Sequence, residues 1–299
     1  MRKLLLTYFA ILVGLHVCLA SFDLKGQYVI ERDLWFANKE FKKFARAPEA
    51  VPTYQFDTLI KRYEKIIASY PSSKLIQAAY LHSGDVYILQ KDYDGARKKF
   101  ADIKSHFQQD PEFLAELDAR IGSTYELTDN WPQAHAVYKS IWKNSPSTQL
   151  GLRLPLYVAG HYKKNGDIVS MAGAFADAIF HFRKIADENP QSSAGFAALQ
   201  ALASCDIEQE KWQDAINVLE EALVKHSSQN YVTPQSVDTI IKMINRIAAF
   251  KLENYSAATD VYKRYMEQFP DSRLNGYLQQ HIDAFKELTA KGIRVSNQK

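Results

Sequence analysis

Residues 93–107 read YDGARKKFADIKSHF, with large or apolar side chains recurring at alternating steps of three and four residues. These positions are Tyr93, Ala96, Phe100, Ile103 and Phe107. On a helix with 3.6 residues per turn they form one stripe, and the charged residues fall outside it. The stretch therefore predicts an amphipathic helix that packs against its neighbours along this stripe.

Six stretches of the chain share this pattern of an aromatic residue followed by a small or apolar residue three positions later. The leading aromatic residues are Phe56, Tyr93, Trp131, Phe175, Trp212 and Tyr255. They lie 37, 38, 44, 37 and 43 positions apart. Self-similarity at such a period is typical of solenoids built from helix pairs. Glycine (12) and proline (10) are scarce among the 299 residues, which also favours long helices.

Glycines recur in phase with these stripes. Gly84, Gly122 and Gly160 are each 38 residues apart. Two helix axes approach within about 8–10 Å only where the side chains at the crossing are small. We therefore expect the glycines, like Ala96 and Ala134, to open slots for aromatic rings of the neighbouring helix.

Two consecutive units share glycine, tyrosine, alanine, aromatic and proline positions. They are Gly84, Tyr87, Ala96, Phe100 and Pro111 in one unit, and Gly122, Tyr125, Ala134, Tyr138 and Pro146 in the next. This pattern resembles the tetratricopeptide repeat (TPR), and the resemblance covers roughly residues 53–270. It implies an all-α fold, a right-handed α-solenoid of about six TPR-like helix pairs plus a C-terminal capping helix.

The apolar periodicity and the turn residues place the predicted helices. The first helices of the pairs are predicted over 27–47, 74–90, 112–128, 148–165, 192–209 and 234–251. The second helices are predicted over 54–70, 92–108, 131–144, 171–188, 211–226 and 254–269. A last helix over 272–290 has Leu278, Ile282 and Phe285 on one face and polar residues opposite, which suits a terminal cap.

The resemblance also implies a function. In TPR arrays the first helices line a concave groove that takes an extended or helical peptide. By position, the groove residues here are Leu81, Asp85, Glu126, Tyr157, His161, Lys164 and Gln200. The chain is similar to the bacterial cell-envelope TPR proteins that include the assembly lipoprotein of the outer-membrane β-barrel machinery and the coordinator of the Tol-Pal system. We therefore expect a non-catalytic scaffold that binds protein or peptide partners of the envelope.

The first twenty residues predict export. Met1-Arg2-Lys3 is positively charged, residues 4–17 are mostly apolar, and small residues precede Ser21. This layout is typical of a secretory signal peptide cut after Ala20. Retention of residues 4–20 as a membrane anchor and lipidation of Cys18 are the alternatives. The predicted organisation is thus 1–20 signal peptide or anchor, 21–292 solenoid and 293–299 frayed tail, in a periplasmic or otherwise exported protein.

No sequence pattern points to catalysis or to a bound metal. HExxH, CxxC, GxGxxG, GxxxxGK[ST] and GxSxG are absent, and the eight histidines are scattered. Cys205 lies in an apolar stretch and is expected to be a buried thiol. The chain is therefore not predicted to be an enzyme or to hold a cofactor.

The net charge of +3 falls to +1 without the first twenty residues. This balance gives no reason to expect nucleic acid as a partner. Basic residues such as Lys39, Lys42 and Lys43 are expected to form a solvated helix face. Membrane contact is expected only through the N-terminal segment, if it is uncleaved or lipidated.

An alternative function is open at this point, because exposed aromatic side chains bind glycans. A glycan- or peptidoglycan-binding accessory subunit of an envelope polysaccharide-processing system would expose Tyr28, Trp35, Tyr157 and Tyr231. The leading aromatic segment offers two interpretations, a binding surface or the first helix of the first pair. Its residues are Tyr28, Leu34, Trp35, Phe36, Phe41 and Phe44.

Overall fold

The computed structural model of the chain describes residues 28–71, 73, 75–107 and 109–291. Every regular element within these residues is helical, which confirms the predicted all-α solenoid class. The predictions for the signal peptide, for Cys18 and for the tail at 293–299 lie outside the described residues. None of the described helices combines the length and the hydrophobicity needed to cross a membrane.

The observed helices match the predicted ones, and most ends agree within two residues. The first are α1 over residues 28–46, α2 Thr53–Ser69, α3 Ile76–Leu89, α4 Tyr93–Lys104, α5 Pro111–Glu126, α6 Trp131–Asn144 and α7 Gln149–Lys164. They are followed by α8 Ile168–Glu188, α9 Ser193–Glu208, α10 Trp212–His226, α11 Pro234–Arg246, α12 Ser256–Gln268 and α13 Asn275–Ala290. A short 3₁₀ turn covers Pro48–Ala50, and a π-helical turn, Ile247–Lys251, follows α11.

The turns inside the hairpins repeat one backbone geometry. The amide of Asp92 donates to the carbonyl of Tyr87, and Asn130 bonds Tyr125 in the same way, five residues back. The residue before each donor has a positive φ, at 61° for Lys91 and 54° for Asp129. This six-to-one bond is the Schellman closure of a helix C-terminus. Its recurrence, again between Lys211 and Asp206, shows that the sequence repeats are repeats of structure.

Side chains at the start of several second helices and first helices satisfy the free backbone amides. The carboxylate of Asp92 accepts from the amide of Gly95, and Asp110 accepts from Phe113. Ser192 caps α9 through the amide of Gly195, as its position after a proline predicts. Each such cap contributes about 1 kcal/mol to the stability of its helix.

The described residues form two compact units, those up to Val137 (unit 1) and those from Tyr138 onward (unit 2). In unit 1 the stripe residues Phe56, Tyr63 and Phe100 are buried, and Phe56 meets Phe44 of α1 edge to face at 5.4 Å. The leading aromatics Tyr93 and Trp131 are only partly buried. In unit 2, Phe175 and Phe182 are buried among residues of α9 and α10. The same aromatic and alanine positions therefore build the core of both units.

The glycine prediction is confirmed at one position and wrong at another. A Cβ on Gly84 would lie 2.2 Å from the ring of Phe100, so this glycine does open a slot for an aromatic side chain. Gly160 is exposed, and a Cβ there would meet no atom within 4 Å. The reason is that α7 buries Val158 and Ala159 instead, which turns Gly160 toward solvent.

Candidate functional site

The predicted groove residues of unit 1 are largely engaged within the protein. Asp85 on α3 is buried, and its carboxylate lies 3.2 Å from the guanidinium of Arg120 on α5. Leu81 packs against the core cluster around Phe100. Glu126 is partly buried at the end of α5. A partner at this surface would therefore meet the half-exposed Arg120 rather than Asp85.

The predicted groove residues of unit 2 are more accessible. Tyr157, His161 and Lys164 follow one another on one stripe of α7, and Tyr157 is 47% exposed. His161 contacts the side-chain amide of Asn165 at 2.8 Å. Gln200 is partly buried on α9, a helix that contacts α7 directly. The structure therefore places these four residues on neighbouring first helices, and their role in binding stays a prediction.

A deeper cavity lies at the C-terminal end of unit 2 and was not predicted. Its volume is about 890 Å³. It is enclosed by two connections between hairpins, Ser227–Thr233 and Phe269–Leu274, and by the first turns of α11 and α13. The apolar part of its lining comes from Val232, Pro234, Val237, Phe269, Pro270 and Leu274. We call this cavity the C-terminal pocket.

One wall of the C-terminal pocket carries a strong hydrogen bond between α11 and α13. The hydroxyl of Tyr277 on α13 donates to the carboxylate of Asp238 on α11 at 2.6 Å. Asp238 also pairs with Lys242 at 2.7 Å. These two donors lower the pKa of Asp238, while the bond to Asp238 raises the pKa of Tyr277. The wall therefore presents an ionised carboxylate at neutral pH.

Hydroxyl groups line the opposite side of the C-terminal pocket. The hydroxyl of Tyr265 lies 2.7 Å from that of Ser227 and 3.2 Å from that of Ser272. Arg273 adds a cation to the rim. The pocket thus combines an apolar floor with donors and acceptors of both signs, which is the usual composition of a site that holds part of a ligand.

A buried polar cluster lies beside this pocket on α11, α12 and α13. The hydroxyl of Tyr262 donates to the side-chain oxygen of Asn245 at 2.7 Å, and Asn245 contacts His281 at 3.1 Å. Burial lowers the pKa of His281. Burial of Tyr262 raises its pKa far above the ordinary value. Both groups are therefore neutral at pH 7 and hold the three helices together.

The leading aromatic segment fits both interpretations in part. Leu34 and Phe44 are buried in the core of unit 1, as the packing interpretation predicts. Tyr28, Trp35 and Phe36 project outward and are 66%, 56% and 51% exposed. Exposure of Tyr28 and Trp35 meets a condition of the glycan hypothesis, but the ammonium group of Lys39 lies over the Trp35 ring, which neutral sugars do not require.

Helix α8 exposes a second apolar surface that was also not predicted. Val169, Ala176 and Phe180 lie on its outer face, and Phe180 is 73% exposed. The signal was present in the sequence, because residues 168–182 contain a single charged residue, Asp177, and are apolar all round. The C-terminal pocket had a weaker signal, the long connection that joins α10 to α11.

Two further predictions from the sequence concern the thiol of Cys205 and possible metal ligands. Cys205 is buried as expected, and burial raises the pKa of its thiol to about 12. Such a thiol is not ionised at neutral pH and so is a poor nucleophile. Among residues 28–291, apart from the three undescribed positions, no three His, Cys, Asp or Glu side chains converge as metal ligands.

Comparison with known proteins supports the repeat assignment. A family model for the tetratricopeptide repeat matches residues 78–109, which include most of α3 and all of α4. The chain therefore contains a tetratricopeptide repeat in the hairpin where the sequence pattern is clearest. No curated protein sequence matches the chain.

Several solved structures are similar to the chain at low sequence identity. BtubC (BKLC) from P. vanneervenii is 13% identical, over 80% of this chain and 90% of that one, with a TM-score of 0.40. A thermophilic TPR protein from Thermus thermophilus is 17% identical, over 69% and 98%, with a TM-score of 0.38. The TPR2AB domain of yeast Sti1, in its pHSP90 complex, is 13% identical, over 82% and 96%, at 0.30. Similarities this distant carry no argument about function.

Proposed function

We propose that the chain is a non-catalytic scaffold of the bacterial cell envelope that binds a segment of a partner protein. The observation that carries the proposal is the C-terminal pocket of unit 2. It opens between the first helix α11 and the capping helix α13, and first helices are the face that TPR proteins use for peptides. A second support is the accessible stripe of Tyr157, His161 and Lys164 on α7.

The lining of the pocket defines the kind of segment that fits. Val232, Val237 and Leu274 accept an apolar side chain, and burying one such side chain contributes roughly 1.5–3 kcal/mol. Asp238 can accept a backbone or side-chain N–H, and Arg273 can meet a carboxylate on the partner. The occupant is thus a peptide with an apolar anchor and polar neighbours rather than a charged cofactor.

The envelope location rests on the sequence of residues 1–20. A positive start, an apolar stretch and small residues before the cleavage position are the features that the export machinery recognises. The protein is exported and cleaved after Ala20 in this proposal. An uncleaved anchor or a lipid on Cys18 would give the same location. Intact mass of the purified protein distinguishes these three states.

Site-directed photo-crosslinking tests the binding site. A photoactivatable phenylalanine at Ser228, an exposed residue of the pocket rim, should form one dominant adduct with a protein of the envelope fraction. The same group at Lys263, exposed on α12 and outside the pocket, is the matched control. Equal adducts at both positions, or none at Ser228, would contradict the proposed site.

A reporter phosphatase that is active only outside the cytoplasm tests the location independently. Fused after Lys299, it should be active with the full chain and inactive when residues 2–20 are removed. Activity that survives the removal would contradict export through this segment. Because this test does not involve unit 2, its failure is distinguishable from failure of the binding site.

A further inference from the structure

We infer that unit 1 carries a second binding surface, which lies on an anionic phospholipid bilayer. This aromatic–basic face consists of the outward side of α1 and one edge of α2. Its residues are Tyr28, Trp35, Phe36, Lys39, Lys42, Lys43 and Arg46 of α1 and Lys61, Arg62 and Lys65 of α2.

Helical spacing brings the α1 residues of the face onto one side. Tyr28, Trp35 and Lys42 are seven residues apart, which is close to two full turns. Phe36 and Lys43 form a parallel line with the same spacing. The opposite side of α1 buries Ile30, Leu34, Ala37 and Phe44 in the protein core, so the exposed rings are additional to those needed for folding.

The aromatic residues and the cations of the face are in contact. The rings of Trp35 and Phe36 meet edge to face at 4.9 Å. The ammonium group of Lys39 lies 4.9 Å from the centre of the Trp35 ring. Tryptophan and tyrosine prefer the level of the lipid headgroups, and lysines beside them reach the phosphates. The face therefore has both components that a membrane interface selects.

Most positive charges of the face have no acidic partner. Arg62 pairs with Glu40 at 2.5 Å, and Arg32 next to the face pairs with Asp33 at 2.9 Å. Among the described residues, no carboxylate lies within ion-pair distance of the six other cations of the face. These are Lys39, Lys42, Lys43, Arg46, Lys61 and Lys65.

A groove between α1 and α2 gives the face a place for a phosphate. Its volume is about 570 Å³, and its lining includes Phe36, Lys61, Arg62 and Lys65. Asp33 and Tyr70 close its far end through a hydrogen bond of 3.5 Å. A lipid headgroup in this groove would place its phosphate among three cations and its glycerol end beside Phe36.

The observations favour a lipid surface over an acidic protein segment. An acidic segment would use the cations but would leave Tyr28, Trp35 and Phe36 in water, whereas the headgroup region accepts both. Only seven residues separate Ala20 from Tyr28, so a membrane-inserted or lipidated N-terminal segment would hold this face near the bilayer. The inference does not depend on partner binding at the C-terminal pocket.

Quenching of Trp35 by brominated lipid tests the contact with the full chain. Vesicles of phosphatidylcholine and phosphatidylglycerol (2:1) with brominated acyl chains should quench tryptophan fluorescence. Phosphatidylcholine vesicles alone should quench it much less. The conservative variant Trp35→Phe should remove the difference, which separates contact through α1 from insertion of residues 4–20.

Charge variants test the electrostatic part. Each Lys or Arg at an anionic surface contributes about fivefold to binding, so Lys42→Gln, Lys43→Gln, Lys61→Gln and Lys65→Gln together should lower partitioning roughly 600-fold. The matched control neutralises the exposed Lys184, Lys263, Lys286 and Lys291 of unit 2 and should leave partitioning within about twofold.

Three results would overturn the inference. The first is an unquenched Trp35 with anionic vesicles, and the second is equal quenching by vesicles of both compositions. The third is a poly-glutamate peptide that binds with the same dependence on the four lysines while Trp35 stays unquenched by lipid. The last result would assign the face to an acidic protein partner.

Discussion

The first and the last described helices, α1 and α13, obey the same rule on their buried side and differ on their exposed side. Helix α13 buries Leu278, Ile282 and Phe285 and presents Asp283, Lys286 and other polar residues outward. Helix α1 buries an equivalent apolar stripe but presents three large aromatic rings and a set of unpaired lysines. Packing within the fold explains the buried side of each helix, and the exposed side of α1 needs another explanation.

The glycines of the two units also differ, although the sequence pattern treats them alike. Gly84 in unit 1 and Gly160 in unit 2 occupy equivalent positions in the sequence pattern, yet only Gly84 faces a ring. The sequence pattern predicts where a small residue occurs. Whether a larger side chain would clash there depends on the neighbouring helix. Differences of this kind can be measured in variants of the two regions.

Truncating a buried and an exposed aromatic side chain of α1 should change the free energy of unfolding by very different amounts. Phe44 is 2% exposed, and Phe44→Ala should lower the free energy of unfolding by roughly 3–5 kcal/mol through loss of burial and creation of a cavity. Phe36→Ala should change it by less than about 0.5 kcal/mol, because Phe36 is half exposed. Urea denaturation of both variants measures the difference. Comparable destabilisation would mean that the exposed rings of α1 serve the fold.

Overpacking the alanine slots should destabilise unit 1. Ala96 and Ala134 are fully buried, so Ala96→Leu and Ala134→Leu should each cost roughly 1–3 kcal/mol. Ala176 on the exposed face of α8 provides the matched control, and Ala176→Leu should be within about 0.5 kcal/mol of wild type. Unchanged melting in both buried variants would mean that these alanines are not at helix crossings.

Replacing each of the two glycines with alanine should change the stability in opposite directions. Gly84→Ala places a methyl group against the Phe100 ring and should destabilise by roughly 1–3 kcal/mol. Gly160→Ala meets open space in an exposed helix interior and should stabilise by up to about 1 kcal/mol. Thermal denaturation of both variants gives the signs. A stabilising Gly84→Ala would contradict the packing of α3 on α4.

Acidification should weaken unit 2 through its buried histidines. Burial lowers the pKa of His181, His226 and His281 from the ordinary value of 6.5. Below that pKa the three histidines are protonated in the unfolded chain but stay neutral in the folded chain. The free energy of unfolding therefore falls as the pH drops. The slope is at most about 1.4 kcal/mol per pH unit for each histidine. The midpoints of urea denaturation at pH 7.5 and 5.5 measure this loss of stability, and the variant His226→Gln should lose less.

Much of the fold could be predicted because the signal is periodic. Phe56, Tyr93 and the other leading aromatics recur in phase with the stripes, and local rules of capping and helix breaking then limit each helix. The π-helical turn Ile247–Lys251 and the early start of α8 at Ile168 were missed. The start of α8 does have a local signature, because the carboxylate of Asp167 caps it by accepting from the amide of Ser170. The π-helical turn has no signature in the repeat pattern.

The candidate sites were harder to predict, since they are formed by residues that the repeat pattern leaves free. The predicted groove was carried over by position, and position alone could not show that Asp85 is held by Arg120. The C-terminal pocket joins two connections that are distant in sequence. The sequence does show Trp35, Phe36 and Lys39 as neighbours, but only the burial of Leu34 and Phe44 shows that the remaining side of α1 is free.

Hydroxyl-radical footprinting of the full chain tests whether the repeat pattern determines which aromatic residues are buried and which remain free for binding. Phe180 and Phe182 are neighbours on α8 and are 73% and 0% exposed. We predict rapid oxidation of Phe180, Trp35 and Phe36 and protection of Phe182 and Phe100. Equal oxidation of Phe180 and Phe182 would contradict the account.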